Sequence, residues 1–392
     1  MRFDVVVVGG GSTGSSVAYH LVKNGAGRVA LLEKDHVGWG QTGRSTAVVR
    51  LHYSTPEVAL MALESWRVLK NMDRVVGGPS GFTACGFILL AGEEDRRGLE
   101  RNVAMLRGVG VETMVLSPEE VKEIAPYIDV SNLSAAAYEP LSGFADPVAT
   151  AQSFASAAVR DGCVLMESCK VVGVRVERGL VERLITSRGE LEAETVVNAT
   201  GVWANSFLEM AGEQLPLEVM KEEIVVWNRP ETFRGVHPVV GDLPNNYYMR
   251  PFGETQTYMG SINPDMARRE KHPSSFNLEE KVGLDTASQY GEAVSKRIPV
   301  MAEAQMAGGW IGLYDVTPDW HPIVDYCPSA KNLFNVVGLS GHGFKLCPAL
   351  GMLAADIILE RKKPLVNPDF FSLKRFEEGR LIGKSYKYGV MS

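Results

Sequence analysis

The sequence predicts a mixed α/β fold in which a Rossmann-type domain is interleaved with an α+β domain built on an antiparallel sheet. The first observation is a βαβ unit of about 30 residues, in which a glycine-rich turn separates a strand-like run at 5–8 from a helix and a second apolar run. The second is a change of character over 214–305, where short strand-like stretches replace the βα alternation. With 392 residues, the chain is also too long for one simple core.

The composition is that of an ordinary globular protein with an acidic balance. Hydrophobic residues make up 45% and charged residues 22% of the chain, and the formal net charge is −7. Because an acidic protein lacks the basic surface that binds nucleic acid, we expect no nucleic-acid partner. No apolar stretch is long enough to cross a bilayer, and the N-terminus leads straight into a strand, so we expect neither a membrane span nor a secretory signal.

The cysteines indicate a reduced protein without structural metal. The five cysteines, at positions 85, 163, 169, 327 and 347, follow no regular spacing, so they do not form a disulfide framework. No CxxC pair or histidine cluster accompanies them, so we expect no metal site. Reduced thiols predict a cytoplasmic location.

Helix starts and hydrophobic periodicity place the remaining elements. Thr55, Ser117 and Asp146 each precede a proline, as N-cap residues do at helix starts. The predicted helices cover residues 15–24, 56–69, 93–106, 148–160, 278–297 and 348–359. The predicted strands cover 28–33, 82–91, 164–166, 170–177, 195–200, 224–228, 247–251 and 256–261. A polar loop is expected at 266–273, and the polar tail after Pro364 is expected to pack loosely.

The turn after the first strand has the pattern of a dinucleotide-binding site. Residues 9–14 (GGGSTG) fit G-x-G-x-x-G, follow a strand and open a helix. Gly9 permits the tight turn, Gly11 lets the backbone approach a pyrophosphate, and Gly14 lets helix and strand pack closely. Glu33, at the end of the second strand, can accept both hydroxyls of a ribose. The helix N-terminus supplies free N–H groups for the pyrophosphate.

Two further segments favour FAD over NAD as the dinucleotide. Residues 38–46 (GWGQTGRST) form a second small, glycine-rich loop directly after the second strand, where the longer FAD molecule runs on from the first. Residues 195–201 (TVVNATG) are similar to a strand motif of flavoproteins with two dinucleotide-fold segments.

With these motifs, the chain resembles the D-amino-acid oxidase superfamily, and within it the sarcosine oxidase family. That family includes the β subunits of sarcosine oxidase and of dye-linked proline dehydrogenase. The resemblance runs from residue 3 to about 360, and it also includes residues 143–147 (GFADP), 317–319 (TPD) and 338–345 (GLSGHGFK).

The resemblance implies an architecture and a reaction. We expect an FAD-binding domain of the glutathione-reductase type from residues 1–80, 143–213 and 306–362, a substrate domain from 81–142 and 214–305, and a C-terminal tail at 363–392. A small secondary or N-methylated amino acid, such as sarcosine, proline or glycine, is then oxidised to an imine by hydride transfer to the flavin.

The resemblance also implies the residues that contact the cofactor. We expect these to be Gly9, Gly11, Ser12, Thr13, Gly14, Glu33, Lys34, Thr42, Gly43, Arg44, Ser45, Thr46, Val171, Ala199, Thr200, Gly201, Trp203, Gly312, Gly341, Gly343, Phe344 and Lys345.

Five side chains are the candidates for substrate binding and catalysis. In the family, cations at the places of Arg50 and Lys345 hold the substrate carboxylate, and a guanidinium in a dry pocket suits that role. Either Tyr247 or Tyr248 is expected to face the flavin, because side chains alternate along their strand, and Tyr248 is the favoured one. His342 either orients the glycine loop or lines the pocket. Tyr258 aligns with a lysine that activates oxygen in monomeric sarcosine oxidase.

Two differences from monomeric sarcosine oxidase change the expected chemistry. Gly312 stands where that enzyme attaches its flavin through a cysteine, so we expect non-covalent FAD. A neutral Tyr258 cannot supply the positive charge that stabilises developing superoxide, so we expect a dehydrogenase that uses another electron acceptor.

Two alternative functions fit the same fold. One is the oxidation of a 2-hydroxy acid or glycerol 3-phosphate, as in other members of the superfamily. The other is an FAD-binding subunit of a larger electron-transfer complex with partner subunits.

Overall fold

The computed structural model describes residues 1–263, 268–270, 280–361, 363–387 and 389–391. The predicted polar loop at 266–273 lies outside these residues except for 268–270, which form a short strand. Within the described residues no helix is both long and apolar enough to cross a membrane.

The chain forms two large sheets, a small sheet and surrounding helices. The strands, numbered in chain order, are β1 (Arg2–Val8), β2 (Val29–Leu32), β3 (Val48–Val49), β4 (Thr83–Ala84), β5 (Phe87–Ala91), β6 (Met114–Leu116), β7 (Ala135–Glu139), β8 (Gly143–Phe144), β9 (Val164–Met166), β10 (Val171–Glu177), β11 (Leu180–Thr186), β12 (Gly189–Asn198), β13 (Glu218–Asn228), β14 (Val239–Asp242), β15 (Tyr247–Phe252), β16 (Gln256–Ser261), β17 (Arg268–Glu270), β18 (Gln305–Val316), β19 (Ile323–Tyr326) and β20 (Leu333–Val337). The helices are α1 (Ser12–Lys23), α2 (Pro56–Lys70), α3 (Met72–Val75), α4 (Glu93–Gly108), α5 (Pro118–Ile124), α6 (Pro147–Arg160), α7 (Ala204–Glu209), α8 (Leu284–Arg297), α9 (Gly343–Ile358) and α10 (Lys374–Glu377).

The first sheet is the Rossmann-type sheet that the sequence predicts. Its parallel strands lie in the order β9-β2-β1-β12-β20, and β19 pairs antiparallel with β20. The strands β10 and β11 extend the sheet from β12 as an antiparallel meander. The run β1-α1-β2 forms the predicted βαβ unit, and the apolar faces of α1, α6 and α9 contribute to one core cluster. The predicted α/β fold class is therefore confirmed.

The second sheet is almost entirely antiparallel. Its order is β17-β13-β16-β15-β14-β5-β7-β6, and β18 pairs with β13 from Glu218↔Val316 to Asn228↔Gln305. The predicted FAD-binding segment begins at 306, yet β18 belongs to this sheet. The difference arises because a glycine-containing apolar strand has the same pattern in either sheet, and its pairing with β13 is long-range.

The predicted strand at 82–91 divides between two sheets. β4 joins a small sheet in the order β3-β8-β4, whereas β5 joins the large antiparallel sheet. Gly86, between them, has a φ of +82°, which favours glycine and breaks the strand. The small sheet therefore connects the two domains next to Arg50, which follows β3.

Two of the three predicted caps form, and three predicted helix starts are shifted by three or more residues: from 15 to Ser12, from 278 to Leu284 and from 348 to Gly343. Ser117 and Asp146 accept backbone hydrogen bonds as N-caps, and Ser117 forms a capping box with Glu120. Thr55 occupies an N-cap position, but its hydroxyl makes no cap bond. The helix predicted from 348 begins at Gly343 instead, so Lys345 lies in the first turn of α9 rather than in a loop.

Several residues of the C-terminal tail are buried against the rest of the chain, which contradicts the expectation that the whole tail packs loosely. Phe371 and Tyr386 are buried, and Arg375 is 1% exposed. The Arg375 guanidinium forms two hydrogen bonds to Asp319, of 2.7 and 3.1 Å. A polar composition did not predict this, because the arginine is buried against one specific partner.

Candidate active site

A cavity of about 610 Å³ lies where the Rossmann-type sheet meets the antiparallel sheet. Its walls come from the glycine turn before α1, the loop that follows β2, the first turn of α9, and strands β13 and β18. The cavity also reaches Val390 and Met391 of the C-terminal tail. Both domains and the tail therefore contribute to one site.

The glycine turn brings the backbone of α1 to the cavity wall. Gly9 has a φ of +110°, and a Cβ there would collide with the carbonyl of Ala199. A Cβ on Gly14 would collide with the carbonyl of Gly9, so this glycine permits close packing of helix and strand. The N-cap residue Gly11 offers no side-chain cap to the first N–H groups of the helix. This arrangement suits a phosphate group at the helix N-terminus.

Polar groups beside the turn are positioned for a ligand. The Thr42 hydroxyl accepts a hydrogen bond of 3.0 Å from the Ser12 N–H. The Thr13 hydroxyl is buried on the cavity wall and has no hydrogen-bond partner among the described residues. A buried hydroxyl without a partner costs free energy, and a bound pyrophosphate would remove that cost. The turn therefore fits the pyrophosphate of a dinucleotide.

Glu33 is held rigidly at the end of β2. One carboxylate oxygen accepts 2.7 Å from the N–H of Gly10, and the other accepts 2.9 Å from the N–H of Asp35. Each oxygen keeps a free lone pair, so the carboxylate can still accept hydroxyl groups. Glu33 lies on the cavity wall, where its two carboxylate oxygens can accept hydrogen bonds from the hydroxyl groups of an adenosine ribose.

The loop after β2 joins the two domains beside the cavity. The Gln41 side chain accepts 2.7 Å from the N–H of Leu313, and the indole N–H of Trp310 donates 2.7 Å to the carbonyl of Arg44. Gly312, opposite this loop, lies on the cavity wall. The wall cysteine among the described residues is Cys169, whose N–H donates to the carbonyl of Glu33. Its thiol therefore lies at the Glu33 end rather than at Gly312.

Arg50 and Lys345 place two buried cations on the cavity wall. Arg50 is 4% exposed and donates to the carbonyls of His52 and, at 2.8 Å, Val390. Lys345 is 9% exposed, and its ammonium donates 3.4 Å to the carbonyl of Gly341. Burial and the charge of Arg50 hold the pKa of Lys345 well below its usual value. No described carboxylate lies within ion-pairing distance of either cation, so an anionic ligand would compensate both.

His342 lies behind the cavity rather than on its wall. It is 1% exposed and occupies the N-cap position of α9, and neither ring nitrogen has a partner among the described residues. Burial and the charge of Lys345 lower its pKa well below the usual value, so the ring is neutral. Its ring centroid lies 5.6 Å from that of Tyr53, whose ring also packs 4.3 Å under the Arg50 guanidinium.

The two predicted tyrosines have different positions. Tyr248 faces the cavity, and its hydroxyl lies 3.0 Å from that of Thr46 and interacts with Tyr314. Burial raises the pKa of Tyr248 to about 12, so it stays protonated as a hydrogen-bond donor. Tyr258 lies outside the cavity lining, stacked 4.7 Å from Phe252 and 4.6 Å from the guanidinium of Arg250. It lies on the neighbouring strand β16, opposite Arg250 of β15, and therefore on the same sheet face as Tyr248.

Two buried acids on the wall are missing from the sequence-based prediction. Glu222 is 7% exposed, and burial followed by the charge of Glu223 raises its pKa to about 8. Asp315 is also 7% exposed and accepts 2.7 Å from the N–H of Gly338, while burial raises its pKa to about 6. Glu222 stands in the run Lys221–Glu222–Glu223, which has the composition of a solvated strand edge. Only the alternation along β13 could have indicated that one of these residues faces inward.

Most of the predicted site residues line this cavity. On its wall are Gly9, Gly11, Ser12, Thr13, Glu33, Lys34, Thr42, Arg44, Ser45, Thr46, Arg50, Val171, Ala199, Thr200, Gly201, Trp203, Tyr248, Gly312, Gly341, Gly343, Phe344 and Lys345. Outside the lining are Gly14, Gly43, Tyr258 and His342. Gly43 packs behind the loop, where a Cβ would lie 2.9 Å from the carbonyl of Gly38. Also on the wall, and not predicted, are Gln41, Tyr314, Val390 and Met391.

Comparison with known proteins identifies the family. Residues 4–357 match the family model described as DAO, FAD dependent oxidoreductase. The sarcosine oxidase subunit beta of Rhodobacter capsulatus is 28% identical, with 99% of this chain and 92% of that protein covered. The crystal structure of L-proline dehydrogenase from P. horikoshii superimposes with a TM-score of 0.86 at 28% identity, covering 96% of this chain and 98% of that one.

A further relative is considerably longer than this chain. The mitochondrial sarcosine dehydrogenase of Mus musculus is 29% identical over 95% of this chain, and the match covers 41% of that protein. The chain therefore corresponds to less than half of this relative's length.

Proposed function

The chain belongs to the DAO family of FAD-dependent oxidoreductases, and on that premise we propose that it oxidises a small secondary or N-methylated amino acid to an imine. The proposal rests on the two buried cations, Arg50 and Lys345, on the wall of the same cavity as the glycine turn. Sarcosine and proline, the compounds named for the relatives, are small amino acids with one carboxylate and a secondary amine.

Arg50 and Lys345 would bind the substrate carboxylate. The Arg50 guanidinium is already oriented by the carbonyls of His52 and Val390, and its planar fork suits a carboxylate. A carboxylate would also favour the protonated form of Lys345, whose pKa is lowered by burial. Binding therefore compensates charges that are costly in the absence of substrate.

The FAD would lie along the glycine turn, with its pyrophosphate at α1 and its ribose at Glu33. When bound, it accepts the hydride equivalents of the substrate. The protein would position the substrate and exclude water from the reacting atoms. Tyr248, held by Thr46 and Tyr314, would provide a neutral hydrogen bond in the pocket.

We expect non-covalent FAD and slow reaction with oxygen. Gly312 supplies no side chain for attachment, and the wall cysteine lies at the Glu33 end. Tyr258 is uncharged, and the cation beside it, Arg250, lies outside the cavity lining. Release of the flavin on denaturation checks the first expectation, and slow reoxidation of the reduced enzyme by air checks the second.

Partner subunits are a second part of the proposal. A relative that this chain covers to 92% is named as the subunit of an enzyme, so an assembly with other chains would be consistent with this likeness. The alternative in which FAD binding is the chain's main task predicts that the isolated chain holds FAD but oxidises no amine.

Turnover of a substrate panel tests the proposal. The FAD-loaded chain is assayed with sarcosine, proline, glycine, dimethylglycine and D-alanine, and with a 2-hydroxy acid and glycerol 3-phosphate, using an artificial dye and then oxygen as acceptor. We expect dye reduction with one or more amino acids and little oxygen uptake. Turnover confined to the hydroxy acid or the phosphate ester would contradict the proposal.

A further inference from the structure

An acidic side chain, Glu222, lies on the wall of a cavity whose other charged wall residues include two cations. It belongs to β13 and is paired across the sheet with Gly312 of β18, which also lines the cavity. Its side chain is 7% exposed. Glu222 is not among the site residues that the sequence predicts, and it has no part in carboxylate binding by Arg50 and Lys345.

The surroundings of Glu222 contain no cation within ion-pairing distance among the described residues. Three tyrosines from other elements interact with the Glu222 carboxyl group: Tyr248 of β15, Tyr314 of β18 and Tyr290 of α8. The fourth titratable group near Glu222 is Glu223, the next residue of β13. The tyrosines are neutral because burial raises each of their pKa values, and Glu223 carries the same charge as Glu222. Burial and Glu223 together raise the pKa of Glu222 to about 8.

A buried carboxyl group in this position is costly unless a ligand supplies the missing partner. An ionised carboxylate in a dry site is stabilised by a cation, and the groups around Glu222 offer no positive charge. The buried charged residues of the cavity wall thus include cations at Arg50 and Lys345 and acids at Glu222 and Asp315, of which Asp315 already accepts a hydrogen bond from the Gly338 N–H. This pattern is complementary to a molecule that carries both an anionic and a cationic group.

Building on the proposed function, we propose that Glu222 binds the cationic nitrogen of the substrate, so that the cavity recognises a zwitterionic amino acid at both of its charges. Arg50 and Lys345 bind the carboxylate, and Glu222 accepts hydrogen bonds from the ammonium group and then the proton that the nitrogen loses before the hydride equivalents leave the α-carbon. The same arrangement disfavours a 2-hydroxy acid, which offers a neutral hydroxyl, and glycerol 3-phosphate, which brings no cation to Glu222.

The test compares an amino acid with its carbon isostere, in which a methylene group replaces the amine. Whichever panel amino acid the enzyme oxidises fastest is used, with butanoate as the isostere of sarcosine or cyclopentanecarboxylate as that of proline. The kcat/KM of the amino acid and the inhibition constant of the isostere are measured for wild type and Glu222→Gln. We expect kcat/KM to fall about 10- to 100-fold, as for a lost charged hydrogen bond, while the inhibition constant stays within about twofold.

The matched control is Glu223→Gln, one residue along the same strand. The Glu223 carboxylate accepts hydrogen bonds from Thr286 and Gly283 and does not line the cavity. This variant keeps the preference for the amino acid. Because it removes the negative neighbour, it also lowers the pKa of Glu222. In wild type, the preference for the amino acid over its isostere is expected to strengthen as the pH rises through about 8, because Glu222 ionises there. In Glu223→Gln, the same strengthening is expected at a lower pH.

Three results would overturn the proposal. An unchanged kcat/KM in Glu222→Gln would show that the carboxylate does not bind the amine. Equal weakening of the amino acid and its isostere, at equal FAD content, would indicate a merely structural role. If no amino acid of the panel is oxidised by wild type, the proposed function fails, and this inference fails with it.

Discussion

At the residue scale, the buried cations of the cavity are the feature that most directly links structure to function. Arg50 and Lys345 are more than nine-tenths buried and have no described carboxylate partner. Groups of this kind destabilise a protein unless a ligand compensates them, so their retention on a cavity wall indicates a binding role.

Arg50→Lys is expected to weaken substrate binding without loss of FAD. The lysine keeps the charge but loses the planar fork that is oriented by the His52 and Val390 carbonyls. We expect the KM to rise about 10- to 100-fold, the equivalent of a lost charged hydrogen bond, with the kcat affected less. Steady-state kinetics measure this, with the exposed Arg67→Lys as control. An unchanged KM would remove Arg50 from the carboxylate site.

Lys345→Met is expected to stabilise the substrate-free protein and to abolish activity. The pKa of Lys345 is lowered in the folded state, so between that pKa and the usual value the unfolded chain binds more protons. The destabilisation caused by Lys345 is therefore fully present at low pH and declines as pH rises. Urea unfolding at neutral pH should show a higher free energy of unfolding for Lys345→Met than for wild type. A lower value would mean that the ammonium stabilises the empty site.

Sequence reasoning identified residues whose neighbours form a recognisable pattern. Glu33 was selected from the dinucleotide-binding motif, whereas Arg50 and Lys345 were selected from the family resemblance. Glu222 and Tyr314 could not be found in this way, because their approach to the cavity depends on the long-range pairing of β13 with β18. Tyr258 was placed near the flavin by alignment, whereas the sheet register sets it beyond the cavity lining.

At the element scale, the turn between β1 and α1 has the strictest backbone requirements. A Cβ on Gly9 or Gly14 would collide with backbone atoms of neighbouring segments. A Cβ on Gly11 would contact only the Thr42 hydroxyl, at 3.0 Å. The same motif therefore contains two glycines required for packing and one that leaves room for a ligand.

Gly11→Ala and Gly14→Ala should separate these two roles. Gly11→Ala is expected to fold with a Tm near that of wild type and to bind FAD weakly, because its methyl group would occupy the approach to the pyrophosphate. Gly14→Ala is expected to lose stability itself, since its methyl group collides with the Gly9 carbonyl. Flavin content and thermal unfolding measure both. Full flavin content in Gly11→Ala would argue against a pyrophosphate at this turn.

A buried ion pair between Arg375 of the tail and Asp319 holds the tail against the segment that links β18 to β19. Burial alone would raise the pKa of Asp319, but hydrogen bonds from Arg375 and its charge hold that pKa below the usual value. Nearby, His52 and Tyr386 are joined at 2.6 Å, and the final turn reaches the cavity through Val390 and Met391. The tail thus supports the site as well as the fold.

Arg375→Met is expected to lower the free energy of unfolding by about 3–5 kcal/mol, because it leaves the Asp319 carboxylate buried without its partner. Urea unfolding of the FAD-loaded protein measures the change. The control is Arg380→Met, which removes an exposed pair with Glu378 and should change the free energy by less than about 1 kcal/mol. Equal effects of the two variants would contradict a structural role for the buried pair.

Element prediction succeeded where local signals are strong and was less accurate where pairing is long-range. The caps at Ser117 and Asp146 fixed two helix starts within the sequence itself. The sequence predicts one strand at 82–91, whereas the structure has two, β4 and β5, in different sheets. The division could not be predicted, because the strands with which β4 and β5 pair are distant in the sequence. The early start of α9 was missed since residues 338–343 are glycine-rich and the helix contains Pro348.

At the scale of the whole molecule, the cavity exists because separated stretches of the chain build the Rossmann-type sheet and other stretches build the opposite wall. The motifs that mark the Rossmann-type sheet are local, so the fold class could be predicted from sequence. The substrate side could not be predicted to the same depth, because its wall is assembled from β13, β15 and β18, which pair across long sequence separations. The cytoplasmic location and the partner subunits remain predictions.

The most direct measurement of the central claim is anaerobic bleaching of the isolated, FAD-loaded chain by matched pairs of compounds. Sarcosine is compared with glycolate, and proline with 2-hydroxypentanoate, so that both members of a pair carry a carboxylate and the α-carbon bears an amine in one and an oxidisable hydroxyl in the other. We expect that an amine member of these pairs reduces the flavin and that its oxygen analogue does not. Reduction by an oxygen analogue alone, or a purified chain that cannot be loaded with FAD, would contradict it.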